Sequence, residues 1–343
     1  MVTKQHSVGD GQQLLSEDNL VEVHNVKKYF PIKGGVIKKT IGQLKAVDDV
    51  SFTIRKGETL GIVGESGSGK STLGRVLIRL LDPTEGQIIF NQTDITTLSQ
   101  RQIRPFREDM QMVFQDPFAS LNSKMSVEQL IEEPLIVQGK LAKSARKQKV
   151  VEVIQKVGLR KDDLQKYPHE FSGGQRQRIS IARALVLNPK FVICDEPVSA
   201  LDVSIQAQVL NLMKDLQDDL GLTYLFIAHD LSVVKHISDR VAVMYLGRFT
   251  EIAPKKQLYE NALHPYTQAL LSSIPVIDLH ADPSSVREKI KLSGDLPSPA
   301  NPPSGCTFRT RCPKAHDRCA IDRPELMEVE KDHFVACHLY SEQ

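Results

Sequence analysis

The stretch Gly64-Glu65-Ser66-Gly67-Ser68-Gly69-Lys70-Ser71 fits the pattern G-x-x-x-x-G-K-[ST], with Thr72 following. Glycines at this spacing let several backbone N–H groups face one anion, and a helix starting there adds its positive end. Lys70 has the reach for the β- and γ-phosphates of a nucleotide such as ATP, and the Ser71 hydroxyl suits Mg²⁺. A second stretch supplies acid: the apolar run Phe191-Val192-Ile193-Cys194 ends in Asp195-Glu196. Asp195 is suited to hold Mg²⁺ through its hydration shell, and Glu196 to polarise a water beside the terminal phosphate. Cys194 reads as a small buried apolar residue. Between the two lies Phe171-Ser172-Gly173-Gly174-Gln175. Ser172 reads as a helix cap, and the two glycines leave the first N–H groups of that helix open, a second anion site. One nucleotide needs one phosphate loop, so a second site makes sense if it completes another subunit's pocket.

Thiol chemistry is concentrated at the C-terminus. Cys306, Cys312, Cys319 and Cys337 are spaced C-x₅-C-x₆-C-x₁₇-C, after a segment, 275–305, that carries six prolines. That segment has too few apolar residues for a core of its own, so a metal centre would organise the region. Four thiolates suit tetrahedral Zn²⁺ or a [4Fe–4S] cluster. Paired C-x₂-C knuckles are missing, and Pro313 follows Cys312, as in some cluster motifs. His316 and His338 are possible substitute ligands but read better as solvated neighbours. His6, His24, His236 and His280 have no metal spacing.

These groups need a scaffold. Alternating or short apolar runs predict strands from Leu20, over Val47–Ile54, Thr59–Val63, Gln87–Asn91, Phe191–Cys194, Thr223–Ala228 and Val241–Leu246. Helices are expected over Ser71–Leu81 and Val203–Leu220, the latter with Val203, Val209, Leu210, Met213 and Leu216 on one face. Residues 99–172 read as mostly helical, and Lys33–Gly42 as a loop. Strands alternating with helices predict an α/β fold with a mainly parallel, helix-covered sheet.

The 343 residues suggest about two domains, or one large domain and an appendage. Lys+Arg 44 against Asp+Glu 42 gives a net charge of +2, too little for a global field that holds a polyanion, so no nucleic-acid partner is expected. No apolar run reaches the roughly 18 residues of a membrane helix, and the first twenty residues lack a signal-peptide core. A reducing, cytosolic setting follows, in which the cysteine cluster points to metal before disulfides. The basic stretch Lys140, Lys143, Arg146, Lys147 and Lys149 reads as a solvated helix face rather than a lipid contact.

The whole set resembles an ATP-binding-cassette (ABC) ATPase. The phosphate loop is followed by Gln115 in Met112-Val-Phe-Gln-Asp-Pro117, then by Ser172-Gly-Gly-Gln175 as the family's signature, with Phe171 where Leu is frequent. Asp195-Glu196, the D-loop Ser199-Ala-Leu-Asp202 and His229 after the next strand complete the order. The resemblance implies that Gln115 contacts Mg²⁺ or the attacking water and senses a transmembrane partner. It implies that Ser172 and Gly174 bind the γ-phosphate held by the opposite subunit, that Asp202 works across the dimer seam, and that His229 contacts the γ-phosphate. Tyr29 matches the aromatic that stacks on adenine, with Phe30 as its competitor. The implied fold is a P-loop NTPase cassette with an antiparallel β subdomain and a helical subdomain.

One branch of the family is matched more fully. Phe114-Gln-Asp-Pro-Phe-Ala-Ser-Leu-Asn122, His264-Pro-Tyr-Thr267 and Gly305-Cys-Thr-Phe-Arg-Thr-Arg-Cys-Pro313 resemble segments of bacterial oligopeptide/dipeptide importers, and Ser71-Thr-Leu-Gly-Arg75 resembles their F-type ATPase. This implies an ATP hydrolase at the cytoplasmic face of the cell membrane. Its implied partners are a D-type ATPase subunit, two permease subunits and an extracellular peptide-binding protein. The importer resemblance also implies a [4Fe–4S] cluster at the four cysteines. The expected organisation is a tail over 1–19, a cassette over 20–262 with a helical subdomain about 117–172, and a C-terminal extension over 263–343. Alternatives are a related nickel- or opine-type importer and a soluble non-transport ABC ATPase. The latter would carry coiled-coil insertions or two cassettes, and a small-metabolite kinase would leave Ser172–Gln175 without a role.

Overall fold

The computed structural model describes residues 17–34, 39–274, 290–292 and 294–341. Most of the expected tail, residues 275–289 of the proline-rich segment, His6 and His280 lie outside them. In chain order the strands are β1 (Asn19–Gly34), β2 (Lys39–Arg55), β3 (Thr59–Val63), β4 (Glu85–Phe90), β5 (Thr93–Asp94), β6 (Met110–Val113), β7 (Phe191–Asp195), β8 (Thr223–Ile227), β9 (Arg240–Tyr245), β10 (Arg248–Pro254), β11 (Met327–Glu330) and β12 (His333–Val335). The α-helices are α1 (Lys70–Leu77), α2 (Gln100–Ile103), α3 (Pro117–Ser120), α4 (Val127–Gln138), α5 (Lys143–Lys156), α6 (Gly173–Leu185), α7 (Val203–Leu220), α8 (Leu231–Ile237), α9 (Lys255–Glu260), α10 (Pro265–Ser272) and α11 (Asp317–Ile321).

Two sheets form. One is antiparallel, in the order β2-β1-β4-β5; the other has the order β11-β12-β10-β9-β3-β8-β7-β6. In the second, β6, β7, β8, β3 and β9 run parallel. The parallel strands are apolar on both faces because both are covered. Val192, Cys194, Tyr224 and Phe226 face a core shared with α4–α8, whereas Phe191, Ile193, Leu225 and Ile227 join α1 and the antiparallel sheet. Cys194 is buried, as expected.

The C-terminal segment is stitched to this sheet. Strand β12 extends it by pairing with β10. Beneath that pairing, His333 Nε2 and Glu251 Oε1 lie 2.8 Å apart, both side chains 0% exposed. Glu251 also accepts the backbone N–H groups of Leu263 and His264 at 2.7 and 3.0 Å. Leaving one member of such a buried hydrogen bond without its partner costs about 1–3 kcal/mol.

Several elements differ from expectation. Strand β6 lies within the stretch read as mostly helical: it is four residues long, and of these only Val113 is β-branched, so its signal is weak. The loop expected over Lys33–Gly42 is largely strand, because the β1–β2 ladder continues through Ile32↔Gly42 to Gly34↔Lys39. Helix α1 stops at Leu77 rather than Leu81. Arg79 adopts φ 54, and its guanidinium donates to the carbonyls of Ile95, Thr96 and Leu98 and to Asp82. Val203 stands 81% exposed in the first turn of α7, whereas Val209, Leu210, Met213 and Leu216 are buried. The basic stretch is tied down by carboxylates: Arg146 to Glu132, Lys140 to Glu108, and Lys147 to Glu128.

Candidate functional site

Parallel strands deliver their C-terminal ends to one edge of a sheet, where ligands of open α/β folds bind. The register fixes which residues meet there. Ile62 pairs with Ile227, Asp195 with Ile227, and Val113 with Cys194. The loop after Val63, the pair Asp195-Glu196, His229 after Ala228, and Gln115 after Phe114 therefore leave the sheet side by side.

The loop Gly64–Gly69 wraps tightly onto the neighbouring strands. Gly64 and Gly69 have φ of +156 and +105, and an added Cβ would lie 2.1 Å from the Met244 carbonyl oxygen and 2.0 Å from that of Ala46. Only glycine fits such positions. Gly69 caps α1, whose first turn has no acidic residue to compete for its N–H groups. Lys70 is buried, and its Nζ donates to the carbonyls of Gly64 and Glu65 at 2.7 and 3.0 Å. Burial pushes its pKa down, and the carboxylates of Glu196, Asp195 and Glu65 oppose that shift.

Ser71 Oγ donates to Asp195 Oδ1 at 2.6 Å. Asp195 is 1% exposed, and its Oδ2 has no hydrogen-bond partner; the nearest cation is Arg75, at 3.9 Å. Burial raises this carboxyl above its ordinary value, the Ser71 hydrogen bond and the Arg75 charge opposing and Glu196 adding to the rise. A buried carboxylate oxygen without a partner, beside a serine hydroxyl, is a donor set suited to a hard divalent cation. The residues present therefore fit Mg²⁺.

Glu196 turns out of β7 with φ 47, a left-handed conformation uncommon for a non-glycine residue. Its backbone N–H is held by the Ile227 carbonyl at 2.9 Å. Two side chains converge on its Oε2: the Gln115 amide donates at 2.8 Å, and His229 Nδ1 lies at 3.2 Å. Gln115 also lines a groove of about 740 Å³ with Phe114, Arg75, Glu133, Pro134 and Arg183, and Phe118, Ile136 and Val137 are exposed on the helical region.

Ser172 and Gln175 close a capping box at the start of α6: Ser172 Oγ accepts the Gln175 N–H, and Gln175 Oε1 accepts the Ser172 N–H. Such a cap is worth about 1 kcal/mol. Both residues are exposed, and Gly174 packs so closely that a Cβ would meet Ile205 Cγ2 at 2.4 Å. Asp202 precedes α7 on the surface without capping it. Tyr29 pairs with Lys45 across β1–β2, one residue from the Ala46 carbonyl against which Gly69 packs. Its hydroxyl donates to Asp48, which Arg248 holds at 2.8 Å. Phe30 pairs with Leu44, and the Lys28 ammonium lies 5.1 Å from its ring centroid.

The four C-terminal thiols are free and share one neighbourhood. Burial pushes Cys306 up to about 11, a backbone N–H from Phe308 opposing, and Cys319, Cys337 and Cys312 push it the same way as burial. Cys312 and Cys337 are raised by burial too. The thiols would have to ionise to serve as ligands, and among the described residues no group of three or more His, Cys, Asp or Glu side chains is arranged to hold an ion. Two contacts to the phosphate loop escaped sequence reasoning, from Tyr266 and Arg311 to Glu65. Both residues lie in segments noted for their resemblance to importers, and that resemblance carried no hint of the contact.

Residues 47–199 match the family model described as ABC transporter, and residues 250–319 the one described as oligopeptide/dipeptide transporter, C-terminal region. The chain is 58% identical over 327 residues to the oligopeptide transport ATP-binding protein AppF of Bacillus subtilis, covering 95% of this chain and 99% of the relative. It is 53% identical to a putative peptide import ATP-binding protein of Brucella ovis, covering 94% and 98%. Among solved structures it is similar to cbiO1 of Clostridium perfringens, part of the ABC transporter complex cbiONQ (TM-score 0.62, 30% identity, covering 71% of this chain and 92% of the other). It is also similar to the ATP-binding cassette MJ0796, seen as a dimer bound to ADP and Pi (TM-score 0.60, 28% identity, 68% and 98%).

Proposed function

The chain belongs to the ATP-binding cassette family, in its peptide-import branch, and we propose that it is the F-type ATPase of an oligopeptide or dipeptide importer, working at the cytoplasmic face of the membrane. It binds and hydrolyses ATP to energise peptide import, as the relatives' names imply. The observation that carries the residue roles is the convergence of Gln115 and His229 on one oxygen of Glu196, beside the partnerless oxygen of Asp195.

In this reading the N–H groups of residues 64–71 and the Lys70 ammonium bind the phosphates, and Tyr29 takes the adenine. Ser71, Gln115 and Asp195 would hold Mg²⁺, which supplies charge neutralisation at the phosphates. Glu196 Oε2 accepts a proton as the water oxygen bonds to the γ-phosphorus and the bond to the β–γ bridging oxygen breaks. Gln115 and His229 orient that carboxylate. Ser172, Gln175 and Asp202 are exposed on their own chain, and Gly173 and Gly174 start the same helix, which fits service by Ser172, Gly173, Gly174, Gln175 and Asp202 to a nucleotide held by a D-type partner. ATP that binds the closed pair better than the open one drives closure, and hydrolysis resets it. The groove beside Gln115 would receive a permease segment, two permeases and an external peptide-binding protein completing the importer. Among the described residues no helix is long and apolar enough to cross a membrane, so attachment would run through those permeases. The working division is a cassette over 20–262, with helical subdomain about 117–172, and an extension over 263–343.

Cys306, Cys312, Cys319 and Cys337 are proposed to hold a [4Fe–4S] cluster, with Zn²⁺ as the alternative. Support comes from four buried or half-buried thiols: burial raises Cys306, Cys312 and Cys337, neighbouring thiols add to each rise, and a metal centre would relieve that cost. Anaerobic purification should give a brown protein with iron and sulfide. Colourless protein with stoichiometric zinc would overturn the cluster, and metal-free protein would overturn both. For the function as a whole, the test is co-purification of the complete transporter and ATPase assay against candidate peptides. Peptide-stimulated turnover is expected, and stimulation by nickel or opines alone would contradict the peptide reading.

A further inference from the structure

Among the described residues, the C-terminal segment hydrogen-bonds the phosphate loop at Glu65. Arg311 Nη1 donates to both carboxylate oxygens of Glu65, at 2.9 and 3.0 Å. Tyr266 Oη accepts the Glu65 backbone N–H at 3.0 Å. The Glu65 carbonyl accepts from Lys70 at 3.0 Å. Side chain, N–H and C=O are thus all held, and two of the three partners lie beyond the ABC transporter match, which ends at residue 199. These partners sit in one packed unit. The Phe308 ring is fully buried, 5.3 Å from those of both Tyr266 and Tyr245 and 5.6 Å from that of His264. The Arg311 side chain is only 10% exposed. Its backbone N–H bonds to the Phe308 carbonyl, and that turn is bracketed by Cys306 and Cys312.

A carboxylate in the second position of a loop that cradles a polyanion is electrostatically unfavourable unless neutralised. A mostly desolvated guanidinium bonded to both of its oxygens supplies that neutralisation and fixes the loop's first turn. We propose that Arg311 is a positioning residue of the nucleotide site. Acting through Glu65, it cancels a charge that would repel the phosphates, and so makes ATP affinity depend on the folded C-terminal segment. This rests on the nucleotide reading of residues 64–71.

The test is a double-mutant cycle in the assembled transporter, read as KM for ATP and kcat. Arg311→Gln should raise KM by roughly 5- to 20-fold, within the range of coupled neighbours, with kcat held within about twofold. Arg311→Lys, which keeps the charge, should recover part of that loss. Glu65→Gln removes the carboxylate that needs neutralising, so the double variant should return KM toward wild type. An unchanged KM in Arg311→Gln, or losses that multiply in the double variant, would overturn the proposal. Should Arg311→Gln fail to assemble, Glu65→Gln and the double variant decide: equal KM supports the proposal and a further rise in the double opposes it. Lys70→Ala is the separate control, because unaltered ATP binding there would sink the nucleotide reading itself.

Discussion

The side-chain amide of Gln115 donates to Glu196 Oε2 at 2.8 Å, joining the exits of two adjacent parallel strands, β6 and β7. Gln115 also lines the groove beside the helical region. One side chain therefore touches both the candidate base and the surface proposed to receive a permease, and displacement at the groove would re-aim the carboxylate.

Gln115→Ala should accordingly lower peptide-stimulated turnover at saturating Mg²⁺-ATP, beyond any loss of affinity from the missing Mg²⁺ ligand. Misplacing a reacting group by about 1 Å can cost on the order of 10²-fold. Peptide stimulation of ATPase in the assembled transporter is the measurement, and full stimulation in the variant would remove Gln115 from the coupling route.

Lys70 and Ser172 should separate. Lys70 serves this chain's nucleotide, and hydrogen bonds to charged groups contribute roughly 1.5–3 kcal/mol, so Lys70→Ala should weaken ATP binding by about 10- to 150-fold. Ser172 serves the partner's nucleotide, so Ser172→Ala should spare ATP binding to the isolated chain and lower turnover only in the assembled pair. Titration calorimetry on the isolated chain decides, and equal losses would refute the trans assignment.

Asp195→Asn should trade activity for stability. Burial raises the Asp195 pKa, so its ionised form costs the fold, and that cost appears as pH rises through the folded pKa. At neutral pH without nucleotide the asparagine variant should gain on the order of 1 kcal/mol, while losing stabilisation by Mg²⁺-ATP. Thermal unfolding with and without Mg²⁺-ATP checks both, and a less stable variant in the absence of nucleotide would contradict the account of Asp195.

His264 links pH to the C-terminal segment. Its Nδ1 accepts the Tyr266 N–H at 3.0 Å, which requires an unprotonated nitrogen, and burial pushes its pKa down to about 4 despite nearby Glu251. The folded pKa is depressed below the ordinary 6.5, so its stabilisation is complete above about pH 6.5 and is lost as pH falls toward 4, at up to about 1.4 kcal/mol per pH unit. His264→Asn caps α10 without titrating and should flatten the dependence of thermal unfolding on pH across that window. An unchanged slope would exclude His264 as its source.

The phosphate loop, Asp195-Glu196 and His229 were legible as neighbours because each sits where a buried apolar strand ends, whereas Ser172–Gln175 was legible as a helix cap. Val63, Asp195 and Ile227 close runs whose apolar character on both faces marks parallel strands. Strand β6 was not legible, because four residues rich in methionine carry little pattern. The partners of Glu65 were hidden for a different reason. Tyr266 and Arg311 lie 201 and 246 residues away along the chain, and nothing local in a Tyr or an Arg says what it will meet. The same holds for the His333–Glu251 pair, which only the pairing of β12 with β10 brings together.

Glu196 as the base of an ATP site that drives peptide import is the central claim. Its most direct test is ATP turnover and peptide uptake in vesicles carrying the assembled transporter, with the partner ATPase's own site inactivated. Glu196→Gln should retain Mg²⁺-ATP binding, trap the closed pair, lower turnover by roughly 10²- to 10⁴-fold and stop uptake. Turnover and uptake near wild type in that variant would contradict the account.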